Sequence, residues 1–211
     1  MPIESEIKFT IPDKTLLDAI AKLDEIADFT SVDCGTLRHH DIYFDTEDSL
    51  LYRKKIVLRL RTSQRGSLLT FKAQGASRSG IYKRVEIETP TDATAEDITQ
   101  GKLPNIAPIK ALYEKTGKIH LINSLYITND RHTFFLEISG RKCYELVLDD
   151  VTFSGPRGEK SIYELEVESM GEKCDNDLMK IGNWLTNRFG LKMAGPSKYM
   201  LGMELVGNLV Q

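Results

Sequence analysis

The N-terminal stretch Glu4-Ser5-Glu6-Ile7-Lys8-Phe9-Thr10-Ile11 alternates polar or charged residues with apolar ones. A period of two belongs to a β-strand with two chemically different faces, because successive side chains leave the strand on opposite sides. Glu4, Glu6, Lys8 and Thr10 share one face, and Ile7, Phe9 and Ile11 the other. The pattern returns down the chain. Arg59 and Arg61 oppose Leu58 and Leu60, and Thr70 and Lys72 oppose Leu69, Phe71 and Ala73. Arg84, Glu86 and Glu88 oppose Val85 and Ile87, and Glu164, Glu166 and Glu168 oppose Leu165 and Val167. Further strands are expected over 126–137 and 144–152.

A sheet with helices on one face and water on the other also alternates in this way. The distribution of sign points elsewhere. Residues two apart on a strand lie roughly 7 Å apart on one face, so Glu4 with Glu6, Arg59 with Arg61, Glu86 with Glu88, and Glu164-Glu166-Glu168 set like charges side by side. A solvated face mixes signs; segregated acids and bases each await a partner of opposite charge. For the carboxylates that partner is a hard divalent cation, Mg²⁺ or Mn²⁺ rather than zinc, since His39, His40, His120 and His132 show no metal-ligand spacing. For the arginines and lysines it is a polyanion such as a phosphate chain. Charged faces that converge on one small polyanion, with the apolar faces covered by helices, describe an α+β fold built on a closed β-barrel with a polar lumen.

Three helical patterns supply the cover. One follows Pro12-Asp13 with Leu16, Leu17, Ile20, Leu23 and Ile26 at three- and four-residue spacing; a second spans 106–116 and stops at Gly117. The third is capped at Asp175 or Asn176, carries Leu178, Ile181, Trp184, Leu185 and Phe189, and stops at Gly190. Trp184 and Phe189 are expected in the core. Gln74–Gly80 and Ser154–Gly158 read as hairpin loops, and Tyr52-Arg53-Lys54-Lys55-Ile56 as a solvated basic turn.

The 211 residues carry 28 Lys+Arg and 31 Asp+Glu, with 41% hydrophobic residues. This composition excludes collagen, low-complexity disorder and a disulfide miniprotein, and the near-neutral balance argues against a nucleic-acid surface. One domain over 1–211 is expected. Cys34, Cys143 and Cys174 are odd in number and lack a CxxC pair, so they are expected to be buried free thiols. The start of the chain lacks a basic, apolar leader and no stretch approaches a membrane span, so a cytoplasmic protein with no membrane partner is expected. The sequence leaves the oligomeric state open.

The ExExK strand Glu4–Lys8 is followed in order by Tyr43-Phe44-Asp45-Thr46, Leu58-Arg59-Leu60-Arg61, Thr70-Phe71-Lys72 and Arg84-Val85-Glu86-Ile87-Glu88. The series continues through Arg131, Leu148-Asp149-Asp150-Val151, Glu164-Leu165-Glu166-Val167-Glu168 and Ser197-Lys198-Tyr199. Over essentially its whole length the chain resembles the CYTH superfamily, the triphosphate tunnel metalloenzymes. It departs from that pattern at Met200-Leu201, where the family often carries another basic residue. The resemblance implies an eight-stranded antiparallel tunnel that acts on triphosphate substrates with a divalent metal. It implies metal-binding roles for Glu4, Glu6, Asp149, Glu164, Glu166 and Glu168, and phosphate-binding roles for Lys8, Arg59, Arg61, Lys72, Arg84, Arg131 and Lys198. Glu4, Glu6, Lys8 and Glu166 stand closest to the chemistry, Glu86 and Glu88 support the basic residues, and Tyr43 and Asp45 brace their strand.

The expected activity is hydrolysis of inorganic triphosphate, thiamine triphosphate or a nucleotide, with release of orthophosphate. One alternative is a class IV-type adenylate cyclase, in which the ribose 3′ oxygen replaces water; another is a non-catalytic polyphosphate- or nucleotide-binding module.

Overall fold

The computed structural model describes residues 3–78, 81–171, 175–194 and 196–207, with side chains at all of these except 3–4, 74–78, 81–84 and 175–176. The strands are β1 (Ile3–Ile11), β2 (Glu25–Ile26), β3 (Phe29–Asp45), β4 (Ile56–Ser63), β5 (Gly66–Arg78), β6 (Ile81–Pro90), β7 (Ile122–Ile138), β8 (Arg141–Gly155), β9 (Gly158–Ser169) and β10 (Lys192–Met193). The helices are α1 (Lys14–Ile20), α2 (Leu50–Lys54), α3 (Ala95–Thr99), α4 (Ala107–Thr116), α5 (Asp175–Phe189) and α6 (Lys198–Leu205). No helix among the described residues is long and apolar enough to cross a membrane.

All strands belong to one antiparallel sheet in the order β10-β1-β6-β5-β4-β3-β7-β8-β9, with β2 beside β3. Strand β1 pairs β6 over Ile3–Glu6 and β9 over Glu6–Ile11. Two points correct the expected closed eight-stranded barrel. The sheet has ten strands among the described residues, the extra ones being the two-residue β2 and β10. Nor is the sheet closed into a regular barrel: each half of β1 serves a different neighbour, and only Glu6 pairs with both.

The alternation read from the sequence decides the two sides. Ile7, Phe9 and Ile11 join Leu165 and Val167 of β9 under Leu178, Ile181 and Leu185 of α5, with Leu17 and Ile20 of α1 at the edge. Trp184 and Phe189 pack on this cluster edge to face, with centroids 5.9 Å apart. Leu58, Leu60, Leu69 and Phe71 of β4 and β5 form a second cluster with Ile98 of α3 and Ile109 and Leu112 of α4. Burial of these faces is the main favourable contribution to folding, at about 25 cal/mol per Å² of apolar area.

The opposite face of the sheet changes character along its length. On β3, β4, β7, β8 and β9 the positions of Asp41, Arg59, Arg131, Asp149 and Glu164 continue in the same parity to Tyr43, Val57, Ile127 and Leu125, Val151 and Phe153, and Ile162. This apolar end is filled by α6, whose Tyr199 and Met203 pack with Val206 on Tyr43, Leu125, Ile127, Val151 and Phe153. The helix sits so close that a Cβ at Gly202 would lie 2.5 Å from Leu125 Cδ2 and 2.7 Å from Phe153 Cδ1. Gly202→Ala is therefore expected to lower stability by about 1–3 kcal/mol in urea unfolding, as overpacking does, whereas an undisplaced midpoint would show α6 to be loosely held.

Several local expectations are revised. The first helix ends at Ile20; Ile26 reaches the same apolar cluster from β2, so the helical spacing outlasts the helix. The basic segment is the helix α2 with Lys55 in the left-handed region (φ 55), although Arg53, Lys54 and Lys55 are solvated as expected. Strand β5 continues to Arg78 through the expected loop, whose tip at 79–80 lies outside the described residues. The Ser154–Gly158 hairpin is present, with β8 and β9 meeting at Gly155 and Gly158. Cys143 is buried, but Cys34 is exposed beside the bulge where Gly35 takes φ +84; Cys174 lies outside the described residues.

Candidate active site

The charged strand faces enclose a cavity of about 190 Å³. Glu6 and Lys8 enter it from β1, Arg59 and Arg61 from β4, Lys72 from β5, Glu86 and Glu88 from β6, Arg131 from β7, Glu166 and Glu168 from β9, and Lys198 from α6. Asp149 and Glu164 lie directly behind this lining, at 0% and 1% exposure, each bonded to residues that face the cavity. Glu4 and Arg84 are backbone partners across β1 and β6, and their side chains lie outside the described residues. Every other anticipated site residue is thus brought to one place.

Glu166 is the hub of the first of two networks. It accepts from Lys8, from Lys198 at 2.6 Å and from Arg131 at 3.2 Å. Asp149 holds Arg131 through two parallel bonds, 2.8 Å from Nε and 2.7 Å from Nη2, and also accepts from the Asn129 amide at 2.9 Å. Burial works against ionisation of both carboxylates, but Arg131 and Lys198 around Asp149, and Lys198, Lys8 and Arg131 around Glu166, hold both well below the usual range. The same acids, with Glu164, keep the Lys198 ammonium charged despite its burial.

The second network lies across the cavity. Arg61 makes two 2.7 Å bonds to Asp41. Arg59 stands 3.7 Å from the same carboxylate, donates to Thr70 Oγ1 at 3.1 Å and reaches Glu88 at 3.4 Å. Lys72 pairs with Glu86. These pairs explain how so many cations share a wall: each is tied back by an acid and presents its remaining donors to the lumen. Glu168 behaves oppositely, since burial, Glu86, Glu145 and Glu166 outweigh Lys72 and raise its carboxyl.

Asp149, Glu164 and Glu166 offer oxygens that all lie within 4.8 Å of one another, and all three are buried. This oxygen donor set suits a hard divalent cation, and it already surrounds one cation, the Lys198 ammonium, at 2.8, 2.7 and 2.6 Å.

Four participants were not anticipated: Asp41, Asn129, His39 and the helix α6 that carries Lys198. Asp41 pairs in register with Arg61, and His39-Asp41-Tyr43 alternate, so the strand period alone could have found them. His39 is buried, and its desolvation, together with Arg61 and Arg131, lowers its pKa to about 4. Between its ordinary value near 6.5 and pH 4, the unfolded chain therefore binds a proton that the folded chain refuses, so stability falls as the pH is lowered through this window. His39→Gln is expected to flatten that decline in unfolding free energy measured from pH 6.5 to 4; an unchanged slope would show the imidazole to be protonated in the fold.

The CYTH domain profile matches residues 2–188. A Haemophilus influenzae protein named inorganic triphosphatase is 27% identical over 143 residues, which cover 68% of this chain and 39% of that protein; the chain thus aligns with less than half the length of this relative. Among solved structures, a Hippeastrum protein assigned as an adenylyl cyclase and described as having a dominant triphosphatase activity superposes with a TM-score of 0.69 at 19% identity, over 96% of each chain. A Bacillus halodurans protein assigned as an adenylate cyclase gives 0.66 at 17% identity over 93% and 94%. At these identities the structures attest the fold. With the profile matched along nearly the whole sequence, the chain belongs to the CYTH-domain family.

Proposed function

We propose that this protein is a divalent-metal-dependent triphosphatase, a single domain over 1–211 whose strands β1 and β3–β9 form an eight-stranded tunnel around the reaction site. The observation that carries the reading is the convergence of Lys8, Arg59, Arg61, Lys72, Arg131 and Lys198 with buried carboxylates on one small cavity. Beyond bracing the cations, Asp149, Glu164 and Glu166 gather oxygens in a set that suits a divalent ion. The names of the Haemophilus and Hippeastrum relatives support the substrate class.

Phosphoryl transfer places charge on the non-bridging oxygens and needs attacking and leaving groups in line, so it is served by positioning and electrostatics. Arg59 and Arg61, braced by Asp41, and Arg131, braced by Asp149, present guanidinium donors whose orientation is settled before substrate arrives. Lys8 of β1 and Lys72 of β5, the two strands that flank β6, approach from the side and neutralise the chain along its length. Asp149, Glu164 and Glu166, with Glu6 and Glu168 at the cavity wall, would hold the Mg²⁺ or Mn²⁺. When bound, such an ion neutralises phosphate oxygens and acidifies the attacking water. Glu86 and Glu88 orient Lys72 and Arg59.

The test incubates purified protein with Mg²⁺ or Mn²⁺ and, separately, inorganic triphosphate, thiamine triphosphate and ATP, measuring orthophosphate and cyclic AMP. Orthophosphate without cyclic AMP is expected. Cyclic AMP with pyrophosphate would establish a cyclase instead, and tight binding without either product would establish a binding module.

A further inference from the structure

We propose that Lys198 is a resident counter-cation that occupies the Asp149–Glu164–Glu166 carboxylates in the metal-free protein and yields them to a divalent ion, its ammonium then turning to substrate phosphate. The inference rests on the reading of this cavity as a divalent-metal site and adds the competitor already seated in it. The Lys198 Nζ atom is the one cation that contacts all three carboxylates among the described residues, and it does so at ion-pair distance from each. Lys8 and Arg131 touch Glu166 from other sides. A divalent ion among these three carboxylates would fill the position that the ammonium holds at 2.6–2.8 Å from each of them, so the two compete for one place. Occupancy is therefore exclusive.

The anchoring of α6 makes the exchange local. Ser197 caps the helix by accepting from the Met200 amide. The same first turn is pinned by the Tyr199 hydroxyl, which donates to buried Asp45 at 2.6 Å, and by the Tyr199 ring, stacked on Tyr43 at 5.3 Å. Asp45 also accepts from the backbone amides of Leu51 and Tyr52, which ties α6 to α2. Lys198 itself lines the cavity, so its long stem can carry the ammonium from acids to lumen while the helix stays in place. Two consequences follow by linkage. The lysine lowers the apparent metal affinity of the empty site, and a triphosphate that draws the ammonium away raises it.

Titration of Mn²⁺ by calorimetry, without turnover, tests this. Lys198→Gln is expected to bind Mn²⁺ about tenfold or more tightly than the wild type, given what a buried ion-pair partner contributes, and to lose most of the tightening that a non-hydrolysable triphosphate analogue produces in the wild type. Lys72→Gln, which removes a cavity cation paired with Glu86 on β6, should change Mn²⁺ affinity far less. Equal affinity in wild type and Lys198→Gln, or equal gains in the two variants, would overturn the exchange while leaving the metal site intact. Absence of Mn²⁺ binding in both proteins would instead overturn the metal reading. Should Lys198→Gln fail to fold, the wild type still decides: Mn²⁺ should increase acylation of Lys198 by an amine-directed reagent, read by peptide mass spectrometry, and an unchanged yield would contradict the exchange.

Discussion

Asp149→Ala is expected to lower the free energy of unfolding by about 3–5 kcal/mol, while Asp130→Ala lowers it by about 1 kcal/mol or less. The two carboxylates form matched bidentate pairs: Asp149 with Arg131 at 2.8 and 2.7 Å, Asp130 with Arg38 at 2.6 Å for both bonds. Geometry therefore cannot separate them, and burial must. Asp130 and Arg38 are open to water, which replaces the lost partner and screens the pair. Asp149 is fully enclosed and also neutralises Lys198, so its removal leaves two buried cations short of an anion. The Asp149 contribution is complete above the ordinary carboxylate pKa and is lost as pH falls through its depressed value in the fold. Urea unfolding of both variants at neutral pH checks the contrast, and equal losses would show that the cavity wall is hydrated like the outer surface.

The second large effect is on turnover. Arg59→Met should reduce the rate of triphosphate cleavage by about 10²–10³, the range found when one preorganised donor to a transition-state oxyanion is removed. Its effect on stability should be much smaller, because Asp41 keeps its two bonds to Arg61, and Thr70 and Glu88 keep their 2.7 Å bond to each other. Arg38→Met serves as the control, an arginine paired with Asp130 on the exterior, and should leave the rate unchanged. Rate loss in Arg59→Met with a parallel fall in melting temperature would assign Arg59 to the fold instead of the reaction.

What could be read in advance follows from the physics of the strand. Where one face meets the helices and the other meets charge, as in Glu4–Ile11, Leu58–Arg61 and Glu164–Glu168, the period of two survives in the letters and the lumen residues can be named. It fails along β3. The bulge between Asp33 and Thr36, with Gly35 at positive φ, shifts the phase, and polar residues occupy both faces from Cys34 to Asp41. Only beyond the bulge, from His39 through Asp41 to Tyr43, do the letters regain one parity. Lys198 was placed correctly in the cavity, but its carrier was not. The α6 helix is apolar on most sides, because it packs into the apolar end of the charged sheet face instead of lying on the outer one, and a helix without a polar face leaves no amphipathic signature. The pairing of the lumen cations with acids was equally hidden, since it depends on which strands are neighbours.

Triphosphate hydrolysis by this protein requires the charges on the cavity face of the sheet to form one metal and triphosphate site. Diffraction from crystals grown with Mn²⁺ and a non-hydrolysable triphosphate analogue tests this most directly. The predicted result is an anomalous manganese peak among the Asp149, Glu164 and Glu166 carboxylates, with the Lys198 ammonium moved off them and the phosphate chain lying against Arg59, Arg61 and Arg131. Manganese and analogue bound only on the exterior, with the cavity ion pairs undisturbed, would contradict it.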